Sequence, residues 1–136
     1  MQDVVADSSL LTAYFLESDV FHQSAREFMA ELDSGGHKLH LPMVVMVETI
    51  SAIRRRLGQN SQTTVNDAFA TIYQWEQQEK VVFYPLNRER MEAALGLAEG
   101  IALRGADSII AALSEELGIA LKTYDNEILR RFQRAI

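Results

Sequence analysis

Four short apolar segments, each separated from the next by helix-length stretches, set the tightest limit on what this chain can fold into. Asp3 to Ala6, His37 to Leu41, Val81 to Tyr84 and Ala120 to Thr123 read as strands. Between them, apolar residues recur at the three- and four-residue spacing of a helix face, as in Phe21, Ala25, Phe28 and Leu32, or Val65, Ala68, Phe69, Ile72 and Trp75. Helices are predicted from Asp7 through Leu16, over 19–32, 44–57 and 61–78, from Asn87 through Ala98, and over 107–117 and 126–132. Gly35-Gly36 and Gly58 close two of them, while Pro42 and Pro85 stand directly after strands, where proline punctuates rather than interrupts. Strands joined through helices pair in parallel, and a parallel sheet needs cover on both faces. The expected fold is therefore α/β: a three-layer α/β/α domain over residues 1–136, with a short central parallel sheet of about four strands flanked by helices.

The bulk composition of the 136 residues, 48% hydrophobic and 24% charged, is that of an ordinary globular domain. No apolar run reaches the about 20 residues of a membrane-spanning helix, so no membrane association is expected. Met1-Gln2-Asp3 offers no basic region ahead of an apolar segment, and no secretory signal is read there. With no cysteine, disulfides, thiolate metal sites and cysteine nucleophiles are excluded together, and the expected compartment is the cytoplasm. The net charge of −6 argues, by itself, against a nucleic-acid partner. The basic side is uneven, however: ten of the thirteen cations are Arg, with runs at Arg54-Arg55-Arg56 and Arg130-Arg131. Arginine forks hold phosphate locally whatever the total charge.

The acids are placed more tellingly than they are numbered. In open α/β sheets ligands bind at the carboxyl ends of the strands. Asp7 ends the first strand and Asp125 follows the last; Asp107 opens a helix and Glu48 lies one turn inside another. Helix capping accounts for each of the three aspartates taken singly. Glu48 has no such account, because Val44-Val45-Met46-Val47 precede it and Thr49-Ile50 follow, and a carboxylate among apolar neighbours needs a partner. One possibility is an ion pair with Arg55 or Arg56 at the helix edge; the other is a carboxylate facing a cleft kept open by the small residues Ser51 and Ala52. Convergent carboxylates raise one another's pKa, and a divalent cation is the usual remedy. All-oxygen ligands select Mg²⁺ or Mn²⁺ over zinc. His37 and His40 point to opposite faces if both lie in one strand, and with His22 they read as ordinary structural or surface residues.

Four stretches together resemble the PIN-domain family of metal-dependent nucleases, in particular the short, VapC-like toxins of prokaryotic toxin–antitoxin pairs. They are Val5-Ala6-Asp7-Ser8-Ser9-Leu10-Leu11, Pro42 to Glu48, Ala106-Asp107-Ser108-Ile109-Ile110-Ala111-Ala112-Leu113, and Leu121-Lys122-Thr123-Tyr124-Asp125-Asn126-Glu127, in that order and spacing, within a resemblance that runs from residue 4 to about 132. It implies an endoribonuclease in which Asp7, Glu48, Asp107 and Asp125 surround one or two Mg²⁺ or Mn²⁺ ions. Asp7 and Asp107 are then direct ligands, and Glu48 and Asp125 bind a second ion or orient water. Thr123, and Ser8 or Ser9, would support the site by hydrogen bonding. The implied reaction is hydrolysis of an RNA phosphodiester by a metal-activated water, leaving a 5′-phosphate and a 3′-hydroxyl. Arg54, Arg55, Arg56 and Arg104 are candidates for the phosphate backbone, with a solvated helix face as the alternative for the run.

The resemblance also implies a cognate antitoxin protein over the acidic cleft and a homodimer. Phe21, Phe28, Phe69, Tyr73 and Trp75 supply more aromatic bulk than one small sheet needs, so some are expected at a dimer surface or else in the core. Competing readings are a DNA nuclease or RNA-processing enzyme built on the same site, and a module that acts mainly by binding a partner protein. A phosphoacceptor receiver domain also clusters aspartates, but Lys122, just ahead of Asp125, is not where its late lysine is wanted.

Overall fold

In the computed structural model, which describes residues 2–136, the four strands form one sheet in the order β3-β2-β1-β4, every pair parallel. The strands are β1 (Val4–Ala6), β2 (Leu39–Pro42), β3 (Val81–Tyr84) and β4 (Leu121–Lys122). The helices are α1 (Ser8–Phe15), α2 (His22–Ser34), α3 (Met43–Leu57), α4 (Gln62–Gln77), α5 (Arg88–Ile101), α6 (Gly105–Leu117) and α7 (Asn126–Arg131), with a 3₁₀ turn at Gly58–Ser61. Helices α5 and α6 pack on each other and α6 lies against β1, β2 and β4, while α1 touches β1, α2 and α3, and α4 touches α3 and β3. This is the α/β/α arrangement that the alternation of segments demands.

Val4, Val5 and Ala6 are all fully buried, because a strand covered on both faces has no solvent side to alternate toward. Around them close Leu10, Leu11, Leu39, Leu41, Ile110 and Leu121, each without exposed surface. The chain runs β1 to β2 to β3 in one direction and then returns to place β4 on the far side of β1. The strand order therefore reverses between β1 and β4, and it is at such a reversal that an open α/β sheet leaves a crevice beyond its carboxyl ends. Residues 134–136 run beside β4, Thr123 N donating to Ile136 O at 3.2 Å, which steadies the segment leading into the crevice.

Element ends differ from the sequence reading for local reasons. Helix α2 begins at His22 rather than Asp19, because the Asp19 carboxylate accepts from Phe21 N at 2.8 Å and holds a turn there. Strand β2 begins at Leu39, so alternation does not govern His37. Both histidines in fact reach one carboxylate, His40 Nε2 at 3.0 Å and His37 Nδ1 at 3.4 Å from Asp3. Pro42 is the last residue of β2 and immediately precedes α3, whose far end is closed by Gly58 at φ 59°. Among the described residues no helix is long and apolar enough to cross a membrane. Phe28 and Trp75 pack against the core, Phe69 and Tyr73 stay exposed on α4, and Met43, Val47, Leu86, Met91 and Leu95 are further exposed apolar side chains.

Candidate active site

Asp7 stands at the reversal point, directly after β1, and is 4% exposed. It caps α1, its Oδ1 accepting from Ser9 N at 3.1 Å and from Ser9 Oγ at 2.6 Å. Thr123 Oγ1, just past β4, donates to its Oδ2 at 2.5 Å. These bonds favour the ionised form, yet burial outweighs them and pushes the Asp7 pKa up. Of the two serines proposed for support, the geometry engages Ser9. Its hydroxyl also accepts from Tyr124 N at 2.8 Å, tying the end of β1 to the segment after β4.

Asp125 caps α7, and its bonds among the described residues fall on one oxygen: Oδ1 accepts from Glu127 N at 2.8 Å and Ile128 N at 3.0 Å. Oδ2 is left free for other work. Asp107 departs from the capping account. Helix α6 starts at Gly105, so Asp107 lies inside its first turn, and the helix has no side-chain cap. Its carboxyl is half-buried and its pKa is pushed up to about 6, first by burial, then by the charges of Asp125 and Asp7, with Arg104 opposing.

Glu48 is half-buried on α3 and makes no ion pair or hydrogen bond among the described residues. The alternative partners are elsewhere: Arg56 Nη1 sits 2.6 Å from Asp19 Oδ2, and Arg55 pairs with nothing among the described residues. Burial raises the Glu48 pKa, and the charges of Asp107 and Asp7 add to it. Glu48 and Asp107 each thus lie within reach of the charge of Asp7, and Asp107 also of that of Asp125. The other arginines divide. Arg54 donates to Gly58 O and, at 3.3 Å, to Ser61 Oγ, closing the end of α3. Arg104 is 79% exposed, 3.8 Å from Glu127.

Glu127 is a fifth acid whose charge reaches Asp107 and that sequence reasoning passed over; its position two residues past the Asp125 cap, in the first turn of α7, was the available signal. As placed, no three His, Asp or Glu side chains among the described residues form a ready cation cage. The donor set nevertheless suits one kind of ion: carboxylate oxygens without imidazole or thiolate, held by hydroxyls, fit a hard divalent cation such as Mg²⁺ or Mn²⁺.

A search of curated protein sequences finds no match. Solved structures do match in fold. The chain superposes on the sarcin-ricin-loop-cleaving toxin VapC20 of Mycobacterium tuberculosis with a TM-score of 0.76, 18% identity, and 96% of this chain and 97% of that one covered. A toxin–antitoxin complex from Klebsiella pneumoniae gives 0.67 and 15% over 98% and 95% of the two chains. VapBC2 of Rickettsia felis, bound to a promoter DNA fragment, gives 0.67 and 9% over 99% and 96%. The sequence pattern of the PIN domain matches residues 4–134. With an all-parallel sheet whose reversal point gathers acids at its carboxyl end, the chain belongs to the PIN-domain family.

Proposed function

We propose that this chain is a Mg²⁺- or Mn²⁺-dependent endoribonuclease, the toxin of a toxin–antitoxin pair, acting in the cytoplasm through Asp7, Glu48, Asp107 and Asp125. The observation that carries the reading is the link at the sheet's reversal point, where one hydroxyl, Thr123 Oγ1, donates to the buried Asp7 and accepts from the amide of Asp125. Burial first, and then neighbouring acids, push the Glu48 and Asp107 carboxyls up as well.

Asp7 and Asp107 are the candidates to hold the ion, with Glu48 and Asp125 on a second ion or a water. When bound, a divalent ion neutralises charge on the phosphoryl oxygens and lowers the pKa of water at the site. The protein's own part is positional. Ser9 and Thr123 fix both oxygens of Asp7, the α7 amides fix one oxygen of Asp125, and Glu48 is unconstrained by any pair. Thr123 reaches two acids at once, since its Oγ1 also accepts from Asp125 N at 2.9 Å. Arg104, largely exposed, is the candidate to meet the RNA backbone.

One of the solved structures named above is a toxin–antitoxin complex, which supports a cognate antitoxin here, expected over the acids. Of the aromatic side chains expected at a homodimer surface, the stacked and exposed pair Phe69 and Tyr73 on α4 is the candidate for it. The test offers purified protein a set of cellular RNAs and matching DNAs, with Mn²⁺ or with chelator, beside Asp7→Asn. Metal-dependent RNA cleavage lost in Asp7→Asn is expected. Wild-type-like cleavage by that variant overturns the site, and cleavage of DNA alone favours the DNA-nuclease reading.

A further inference from the structure

Beside the carboxylates runs a groove of about 330 Å³ that none of the four acids requires. That is the small end of the roughly 300–1,000 Å³ range of small-ligand sites. Its lining includes Ser9, Thr12, Val20, Phe21, Arg56 and Tyr124. Asp125 lines it too, so with Ser9 the groove opens directly onto the crevice.

One wall is a prebuilt aromatic stack. The rings of Phe21 and Tyr124 are 4.5 Å apart and 1° from parallel. Tyr124 has no freedom left: its amide is held by Ser9, its hydroxyl shares a 3.0 Å hydrogen bond with Ser24, and Lys122 Nζ lies 4.8 Å from its ring centroid. With Phe21 on one face, the ammonium takes the other. The stack therefore ends at Phe21, which is 42% exposed, next to Val20 at 87%. Phe21 packs on Tyr124 and still leaves much of its ring in water, beside a Val20 that is almost wholly exposed. Across the groove Arg56 gives one nitrogen to Asp19 and keeps further N–H donors. Below, Thr12 Oγ1 is buried without a hydrogen-bond partner among the described residues.

We propose that this groove is a nucleobase subsite, in which a base of the RNA adjoining the phosphate at the carboxylates stacks on Phe21 while Arg56 meets the flanking backbone. The proposal rests on the ribonuclease reading and names where that enzyme grips its substrate. A flat, open ring face and a fork of donors suit a base and a phosphate, and an acidic or aliphatic peptide would use only half of them.

The test uses short oligoribonucleotides carrying 2-aminopurine at successive positions, titrated with whole protein in chelator so that nothing is cleaved. Wild type is expected to quench the fluorophore at one position. Phe21→Leu, which keeps apolar bulk without a ring, should bind about tenfold more weakly, and Phe21→Trp should restore binding and quenching. With Mn²⁺, Phe21→Leu should raise KM and shift the preferred cleavage sequence while kcat stays within about twofold. No quenching by wild type, or binding by Phe21→Leu equal to wild type, overturns the subsite and leaves the groove to a protein partner. Glu48→Gln separates the two ideas, since a variant that still cleaves at the wild-type rate removes the carboxylate site whatever Phe21 does.

Discussion

Thr123 donates to Asp7 across the sheet's reversal point at 2.5 Å, and the same hydroxyl accepts from Asp125 N at 2.9 Å. One oxygen atom thus joins two acids that are 118 residues apart in the chain. Thr123→Val keeps the shape and removes both bonds, leaving the part-buried Asp125 amide without this acceptor and Asp7 with one donor fewer. A loss of about 1–3 kcal/mol in chemical denaturation is expected, with cleavage falling about tenfold or more. Thr123→Ser should recover both. If Thr123→Val matches wild type in rate, the hydroxyl is structural alone.

For Glu48 the expected effects on stability and activity have opposite signs. Glu48→Gln removes a charge that burial, Asp107 and Asp7 all disfavour, and it breaks no pair. In chelator its melting temperature should rise. Its cleavage rate with Mn²⁺ should fall by at least the roughly 10–100-fold typical of weakened metal sites. Were Glu48 a surface residue of no consequence, neither quantity would move.

Asp107 gives the pH dependence. Its pKa in the folded protein is about 6 against the ordinary 3.8, so native protein holds a proton between those values that the unfolded chain has lost. Stability is then fully present below about pH 4 and falls as pH rises through about 6, the negative slope that linkage requires. Asp107→Asn should flatten this part of the curve and stabilise the metal-free protein at pH 7. The carboxyl is half in solvent, so screening limits the gain to about 1 kcal/mol, or about 3–5 °C in Tm. Asp7 and Glu48, shifted the same way, leave a residual slope. Melting curves from pH 4 to 8 in chelator check it, and an unchanged slope in Asp107→Asn refutes the cause assigned.

What the sequence reveals and what it hides follow from range. The strands are legible because segments such as Val4-Val5-Ala6 are short, apolar and bounded by helical periodicity, and parallel pairing follows from the helices between them. The acids are legible because Asp7 and Asp125 follow strands, Asp107 stands at a helix start and Glu48 interrupts an apolar run. The start of α6 is not, since Gly105-Ala106 reads as a turn, whereas the helix takes Gly105 into its first position and leaves Asp107 uncapped. The choice of Ser9 over Ser8 depends on which serine faces Thr123, 114 residues away, and no local pattern carries that. The stack of Phe21 on Tyr124 is hidden for the same reason: two aromatics in loops, with no period between them.

Asp125 is where capping and chemistry are hardest to tell apart, and its two oxygens separate them. Oδ1 accepts both amides of the α7 cap, so Asp125→Asn retains the cap through its side-chain carbonyl, while Asp125→Ala loses it at about 1 kcal/mol. Both variants lose the negative charge and the second carboxylate oxygen. If Asp125 belongs to the active site, the two should be equally deficient in cleavage while Asn melts near wild type and Ala several degrees lower. If it is a cap and nothing more, activity will follow stability, and Asp125→Asn will cleave RNA at the wild-type rate.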